Sequence, residues 1–164
     1  MKQIGIHPIK TLYAQANIWV ADYKLESESS EYAACTFTVN ELRIMGRTAK
    51  ITPKKVGQFV TFWKRNIQGL TAPFDTHDPF DYYVINVGKD ERVGQFIIPK
   101  SVLMDKGIVS TDTKDGKRGF RVYPPWDAPT SKQAKKTQNW QSNYFVEFGT
   151  DGDIEWIRKH LRQP

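Results

Sequence analysis

Thr52-Pro53-Lys54-Lys55-Val56-Gly57-Gln58-Phe59-Val60-Thr61-Phe62-Trp63-Lys64-Arg65-Asn66 is the stretch on which the fold turns. Thr52 carries a hydroxyl that can cap free amides, and Pro53 has the fixed φ that suits a first helical position. From that start Val56, Phe59, Val60 and Trp63 share one face at helical spacing, with Lys54, Lys55, Gln58 and Arg65 largely off it. The spacing predicts a basic amphipathic helix over 53–66. A helix N-terminus offers free amides and partial positive charge, so Lys54 and Lys55 there suggest a seat for a phosphate.

Downstream, Tyr82 to Val87 and Val93 to Ile98 read as strands joined by a turn at Gly88-Lys-Asp-Glu. Pro99 opens a short helix reaching Lys106. Asp115-Gly116 is a turn signal before a strand from Gly119 to Tyr123. Lys132 to Tyr144 reads as a helix and Phe145 to Phe148 as a short strand. The order is then helix, strand, strand, strand, helix, strand, which the restriction-endonuclease-like core shares. Upstream, apolar residues from Ile9 to Tyr23 recur at helical spacing and predict a helix over 8–23. Tyr32 to Val39 and Leu42 to Ile51 form a hairpin around Asn40-Glu41. Thr150 with Asp153 resembles a capping box opening a C-terminal helix through Arg162. The expectation is an α/β (α+β) fold with a mixed central sheet flanked by helices and a restriction-endonuclease-like core. Residues 1–164 form one domain: helix and hairpin over 8–51, core over 53–148, C-terminal helix over 150–162.

The 164 residues suffice for one such core, and the 13% aromatic residues supply much of its volume. No apolar run approaches the ~20 residues of a membrane span. The Met1 to His7 segment lacks a signal-peptide apolar region, and the single cysteine, Cys35, forbids an internal disulfide. The expected setting is the cytoplasm. Net charge is +6, and it is segregated. No acid lies between Leu42 and Ile67, and only Asp127 lies between Lys117 and Phe145. Such patterning builds a positive face suited to an anionic partner.

Lys50, Lys54, Lys55, Lys64 and Arg65 supply charge in the first basic segment, with Gln58 as a polar reader of base edges. In the second, Lys117, Arg118 and Arg121 enter a strand, and Lys135, Lys136, Gln138 and Gln141 sit on the helix 132–144. Lys and Arg mixed with Gln and aromatic residues suit a surface that meets phosphates and bases. Trp140 and Tyr144, four apart, fit core anchors. A metal-dependent nuclease needs clustered acids with a lysine around one ion. The candidates are Asp81, Glu31 and Lys100, with Gln95 on the second strand where an acid is wanted, and Mg²⁺ is required only under that reading. Asp75-Thr-His77-Asp78 fits loop carboxylates that bond their own amides. No Ser/His/Asp pattern and no Gly-rich phosphate loop occurs. The loop Tyr123-Pro-Pro-Trp126 is the one stretch that suggests a pocket for a protein or small anionic partner.

Several longer elements resemble a known family: Glu31-Tyr-Ala-Ala-Cys35, Arg47-Thr-Ala-Lys50 running into Ile51-Thr-Pro-Lys-Lys-Val-Gly-Gln-Phe-Val60, and Trp63-Lys-Arg65. Gly94-Gln-Phe-Ile-Ile-Pro-Lys100, Arg121-Val-Tyr-Pro124 with Trp126, and Thr137-Gln-Asn-Trp-Gln141 before Tyr144-Phe145 continue the match. Together they resemble the MepB-like family over about residues 9–145. The resemblance implies a restriction-endonuclease-like α/β fold in a bacterial cytoplasm, from an operon that also encodes a multidrug efflux pump and its repressor. It carries no catalytic residues to this chain. The resulting expectation is a nucleic-acid-binding protein, DNA ahead of RNA, with no catalysis, no cofactor, no metal site and no membrane association. A degraded metal-dependent nuclease and an accessory module with a protein or anionic partner are the alternatives.

Overall fold

The structure, a computed structural model, describes residues 6–161. It opens with α1 (Ile6–Gln15) and β1 (Val20–Leu25), followed by a 3₁₀ turn at Ser30–Tyr32. The helix expected over 8–23 is thus cut short. Ala16 and Asn17 donate back to the Tyr13 and Ala14 carbonyls, and Asn17 takes a φ of 61° that ends the helix. The residues that follow pair with a neighbouring strand instead, Val20 against Val39 and Leu25 against Cys35. Backbone pairing along a sheet edge overrides a weak helical period here.

The hairpin follows as expected: β2 (Cys35–Val39) and β3 (Leu42–Thr48) turn through Asn40 and Glu41. Both turn residues have positive φ, 47° and 70°, the signature of a type I′ turn. β4 (Lys50–Ile51), β5 (Gln58–Thr61), β6 (Trp63–Arg65) and β7 (Thr71–Pro73) come next. The basic helix predicted over 53–66 is therefore absent. Gly57 has a φ of 86°, which breaks any helix at that point. From Gln58 to Phe62 burial alternates, with Gln58, Val60 and Phe62 inside and Phe59 and Thr61 facing outward. That is the period of a strand, and the β-branched and aromatic residues favour it. The chain order read as a restriction-endonuclease-like core loses its first helix.

The remaining elements are β8 (Tyr82–Lys89), β9 (Arg92–Pro99), α2 (Lys100–Asp105), β10 (Gly119–Val122), α3 (Lys132–Gln141), β11 (Phe145–Glu147) and α4 (Asp153–His160). The main sheet is mixed and six-stranded, in the order β1-β2-β3-β8-β9-β11. Its neighbours run antiparallel except the parallel pair β3–β8. α4 does not start from a Thr150 cap. Gly152 occupies the cap position, the Thr150 hydroxyl donates to the Glu147 carbonyl, and the Asp153 carboxylate accepts from the Gly149 amide. Arg162, the expected end of that helix, lies outside the described residues.

Each face of the main sheet buries its own core. On one face Phe37, Val39, Ile44, Val84 and Ile97 pack beneath α1 and α4 through Tyr13 and Ile157. Buried polar groups there satisfy one another: the Tyr13 hydroxyl donates to Gln95 Oε1, and Gln95 Nε2 donates to Asn86 Oδ1 at 2.8 Å. On the other face Tyr83, Ile85, Phe96 and Ile98 pack against Val60, Phe62, Phe120 and Leu103. Phe62 is the hub. Its ring stacks on Tyr83 at 4.3 Å and meets Phe74 at 4.7 Å, Phe80 at 5.9 Å and Phe120 at 6.3 Å. This second core holds a small sheet, ordered β10-β5-β4, over the main one. The small sheet carries Lys50 and Arg121, with Lys54, Lys55, Lys117 and Arg118 in the segments that flank its strands. Among the described residues no helix is long and apolar enough to cross a membrane.

Candidate functional site

In the small sheet Lys50, Phe59 and Arg121 are direct cross-strand partners, so their side chains leave the same face. Lys50 is exposed, and its ammonium lies 4.6 Å from the Tyr32 ring centre. Two strand spacings away, roughly 10 Å, Arg121 is half-buried. Its guanidinium donates to the Thr52 hydroxyl, its Nε has no partner, and it forms no ion pair with a described residue. Thr52 thus holds Arg121 rather than capping a helix. Lys54 and Lys55 lie exposed in the turn between β4 and β5.

On its other side Arg121 borders a groove between β10 and α3, with a volume of about 310 Å³. Lys106, Lys117 and Arg121 line it together with Tyr123, Trp140 and Gln141, and no carboxylate does. Gly119 in β10 has no room for a side chain: a Cβ there would lie 2.6 Å from the Phe59 ring. The α3 residues facing the groove are Gln133, Ala134, Thr137, Trp140 and Gln141. At 3.6 residues per turn this puts Lys136 at the rim and Lys135 on the far side of the helix. α3 begins at Ser131, whose hydroxyl accepts from the Ala134 amide. The Lys106 ammonium sits 5.5 Å from the Trp140 ring centre. Of these cations only Lys106 has a carboxylate in reach, Asp105 at 3.9 Å outside the lining, and cations so gathered in a concave site raise the local potential for an anion.

The other residues expected to meet a ligand have structural partners. Gln58 is 1% exposed and donates to the Gly88 carbonyl, so it ties the small sheet to the main one and reads nothing. Gln141 is fully buried, accepts from the Tyr123 amide and donates to the Arg121 carbonyl. Gln138 donates to the Pro124 and Asp127 carbonyls. Lys64 is gripped by Asp75 and Asp78 at 2.9 and 2.8 Å. Burial pulls that ammonium down, but the two carboxylates outweigh it and hold its pKa above the usual lysine value. Lys64 in turn holds the Asp75 carboxyl below its usual value. Arg65 pairs with Glu28 at 2.8 Å, and Arg118 reaches the Thr71 carbonyl. Trp140 and Tyr144 pack against the second core, as their spacing suggested.

The nuclease candidates are engaged separately. Asp81 accepts from the Arg43 amide at 2.8 Å. The Lys100 ammonium donates to the Thr76 and Asp78 carbonyls and lies over Phe80. Glu31 is exposed on the 3₁₀ turn beside Tyr32. Among the described residues no group of three His, Cys, Asp or Glu side chains is placed to hold a metal ion. In the aromatic loop Tyr123 lines the groove, while Trp126 packs edge-on against Phe145 beneath Arg92. Sequence reading missed Lys106, which ends a short helix and carries no motif.

The MepB-like family model matches residues 26–147, which span the hairpin, the small sheet, the groove and β11. A crystal structure of MepB is similar, with a TM-score of 0.78 and 37% identity over 80% of this chain and 89% of that one. No curated protein matches the chain. With the family's pattern extending over most of the chain and its fold reproduced at that identity, the chain belongs to the MepB-like family.

Proposed function

We propose that this protein binds nucleic acid through the groove between β10 and α3, engaging single-stranded segments, DNA first, without cleaving them. One observation carries the reading: Lys106, Lys117 and Arg121 converge on a groove whose lining contains no carboxylate. Phosphates are the anions that reward several separated cations at once, and Arg121 carries a guanidinium fork held only by the Thr52 hydroxyl, with no carboxylate on it. The groove is too small for a duplex and has two aromatic walls, Tyr123 and Trp140, against which a base can stack. Lys50, Lys54, Lys55 and Lys136 extend the positive surface from the groove along the small sheet and the helix rim. The glutamines serve the scaffold, so sequence-tolerant binding follows.

The test is a fluorescence-anisotropy titration of a labelled oligothymidylate and a labelled duplex at low salt. The double variant Lys106→Glu/Lys117→Glu is compared with Lys159→Glu, an exposed change on α4 across the main sheet. The expected result is tighter binding of the single strand, weakened roughly hundredfold in the groove variant and little changed by Lys159→Glu. Equal losses in both variants, or no binding by the unmodified protein, would overturn the reading.

A further inference from the structure

Among the described residues Arg47 is the one charged residue that is buried, at 3% exposure. It projects from β3 on the same face as Met45, toward the second core. Its Nη1 donates to the Gly46 carbonyl at 2.8 Å, its Nε has no partner, and no carboxylate forms an ion pair with it. A guanidinium does not shed its proton to escape such a site. A buried charge without a counter-charge is strongly disfavoured unless an anion joins it.

Arg47 lines a cavity of about 300 Å³ with Met45, Trp63, Phe74, Pro79 and Phe80 as its apolar walls. The other cations on the lining are already paired, and Glu26 has only a long hydrogen bond. Lys64 is held by Asp75 and Asp78, Arg65 is paired with Glu28, and Glu26 accepts from the Thr36 hydroxyl at 3.4 Å. Arg47 is thus the one cation on the lining without a carboxylate partner, and it is left to meet an incoming anion. An inorganic anion satisfies the guanidinium but leaves the aromatic walls without a partner, and an apolar molecule does the reverse. The volume lies at the small end of ligand pockets.

We propose that this cavity is a binding site for a small organic carboxylate with an aromatic or branched apolar body, its carboxylate on Arg47 and its body against Trp63, Phe74 and Phe80. The site is separate from the groove between β10 and α3, and it stands or falls independently of nucleic-acid binding. Calorimetric titration with phenylacetate, phenylacetamide and acetate tests it, with the intrinsic tryptophan fluorescence as a second readout because Trp63 forms a wall. Phenylacetate is expected to bind saturably, about ten-fold or more tighter than the uncharged amide and than acetate. Arg47→Met removes the charge at similar volume and should cost about the same factor, with Arg47→Lys intermediate and oligonucleotide affinity unchanged. Absence of saturable phenylacetate binding, equal affinity for the amide or for acetate, or full affinity in Arg47→Met would overturn the proposal. The ligand series on the unmodified protein decides the matter if Arg47→Met fails to fold.

Discussion

Gln141 and Arg121 are joined through the backbone. The Gln141 Nε2 donates to the Arg121 carbonyl at 2.9 Å while its Oε1 accepts from the Tyr123 amide at 2.8 Å. One side chain therefore replaces the strand neighbour that β10 lacks on that edge, and it fixes α3 against the small sheet. Both walls of the groove depend on it.

Replacing Gln141 with Leu keeps the volume and strands one donor and one acceptor. Each buried unsatisfied group costs about 1–3 kcal/mol, so a loss near 3 kcal/mol is expected from urea unfolding. Oligonucleotide binding should weaken as well, although Gln141 has no free polar atom to offer. A fully stable variant would show that water replaces both bonds.

Glu41 holds a φ of 70° in the hairpin turn, a conformation that costs a non-glycine residue about 1 kcal/mol. Asn40 before it, at 47°, suits the first position of a type I′ turn. Glu41→Gly completes the Asn-Gly pair and should stabilise the protein by about 0.5–1 kcal/mol, read as a higher urea midpoint at an unchanged slope. A lower midpoint would mean that Glu41 makes a compensating interaction.

Cys35 is buried, and burial pushes its thiol pKa from an ordinary value of 9.0 up to about 11. The unfolded chain releases this proton first, so the stabilisation is complete below pH 9 and is lost as pH rises toward 11. The limiting slope is about 1.4 kcal/mol per pH unit. Burial also raises Tyr13 and Tyr83, which extend the same alkaline decline. Melting temperatures taken from pH 7 to 11 should fall less steeply in Cys35→Ala, despite a modest loss at pH 7. Parallel curves would remove Cys35 from the alkaline limb.

Much of this architecture was legible in the chain because its signals are local. Asn40-Glu41 and Gly88 to Glu91 mark turns, and the strands at Tyr82 and Val93 have strong β-formers on both faces; the turn expected at Asp115-Gly116 falls instead at Asp112-Thr113, between the bridged Thr111 and Lys114. Residues 53–66 misled because Thr52-Pro53 is a helix start in isolation. The alternation from Gln58 to Phe62 was the competing signal, and it wins through the burial of Val60 and Phe62 against Tyr83 and Phe120. The stretch from Val20 failed similarly, since an edge strand is specified by its neighbour more than by its own period. For the site, the segregation of charge was visible but its partners were not. Lys64 and Arg65 looked free because Asp75, Asp78 and Glu28 lie elsewhere in the chain and only folding brings them in. Arg121 and Lys117 kept their place beside an acid-free groove, Lys106 carried no motif that sets it apart, and nothing in the Arg47-Thr-Ala-Lys50 element signalled that Arg47 is buried.

The salt dependence of oligonucleotide binding tests the groove most directly. Three cations meeting phosphates predict a log–log slope of about −2 on single strands, reduced toward zero in Lys106→Glu/Lys117→Glu. A slope that is flat in the unmodified protein, or equally steep in the variant, would contradict the assignment of Lys106, Lys117 and Arg121 as the phosphate-binding surface.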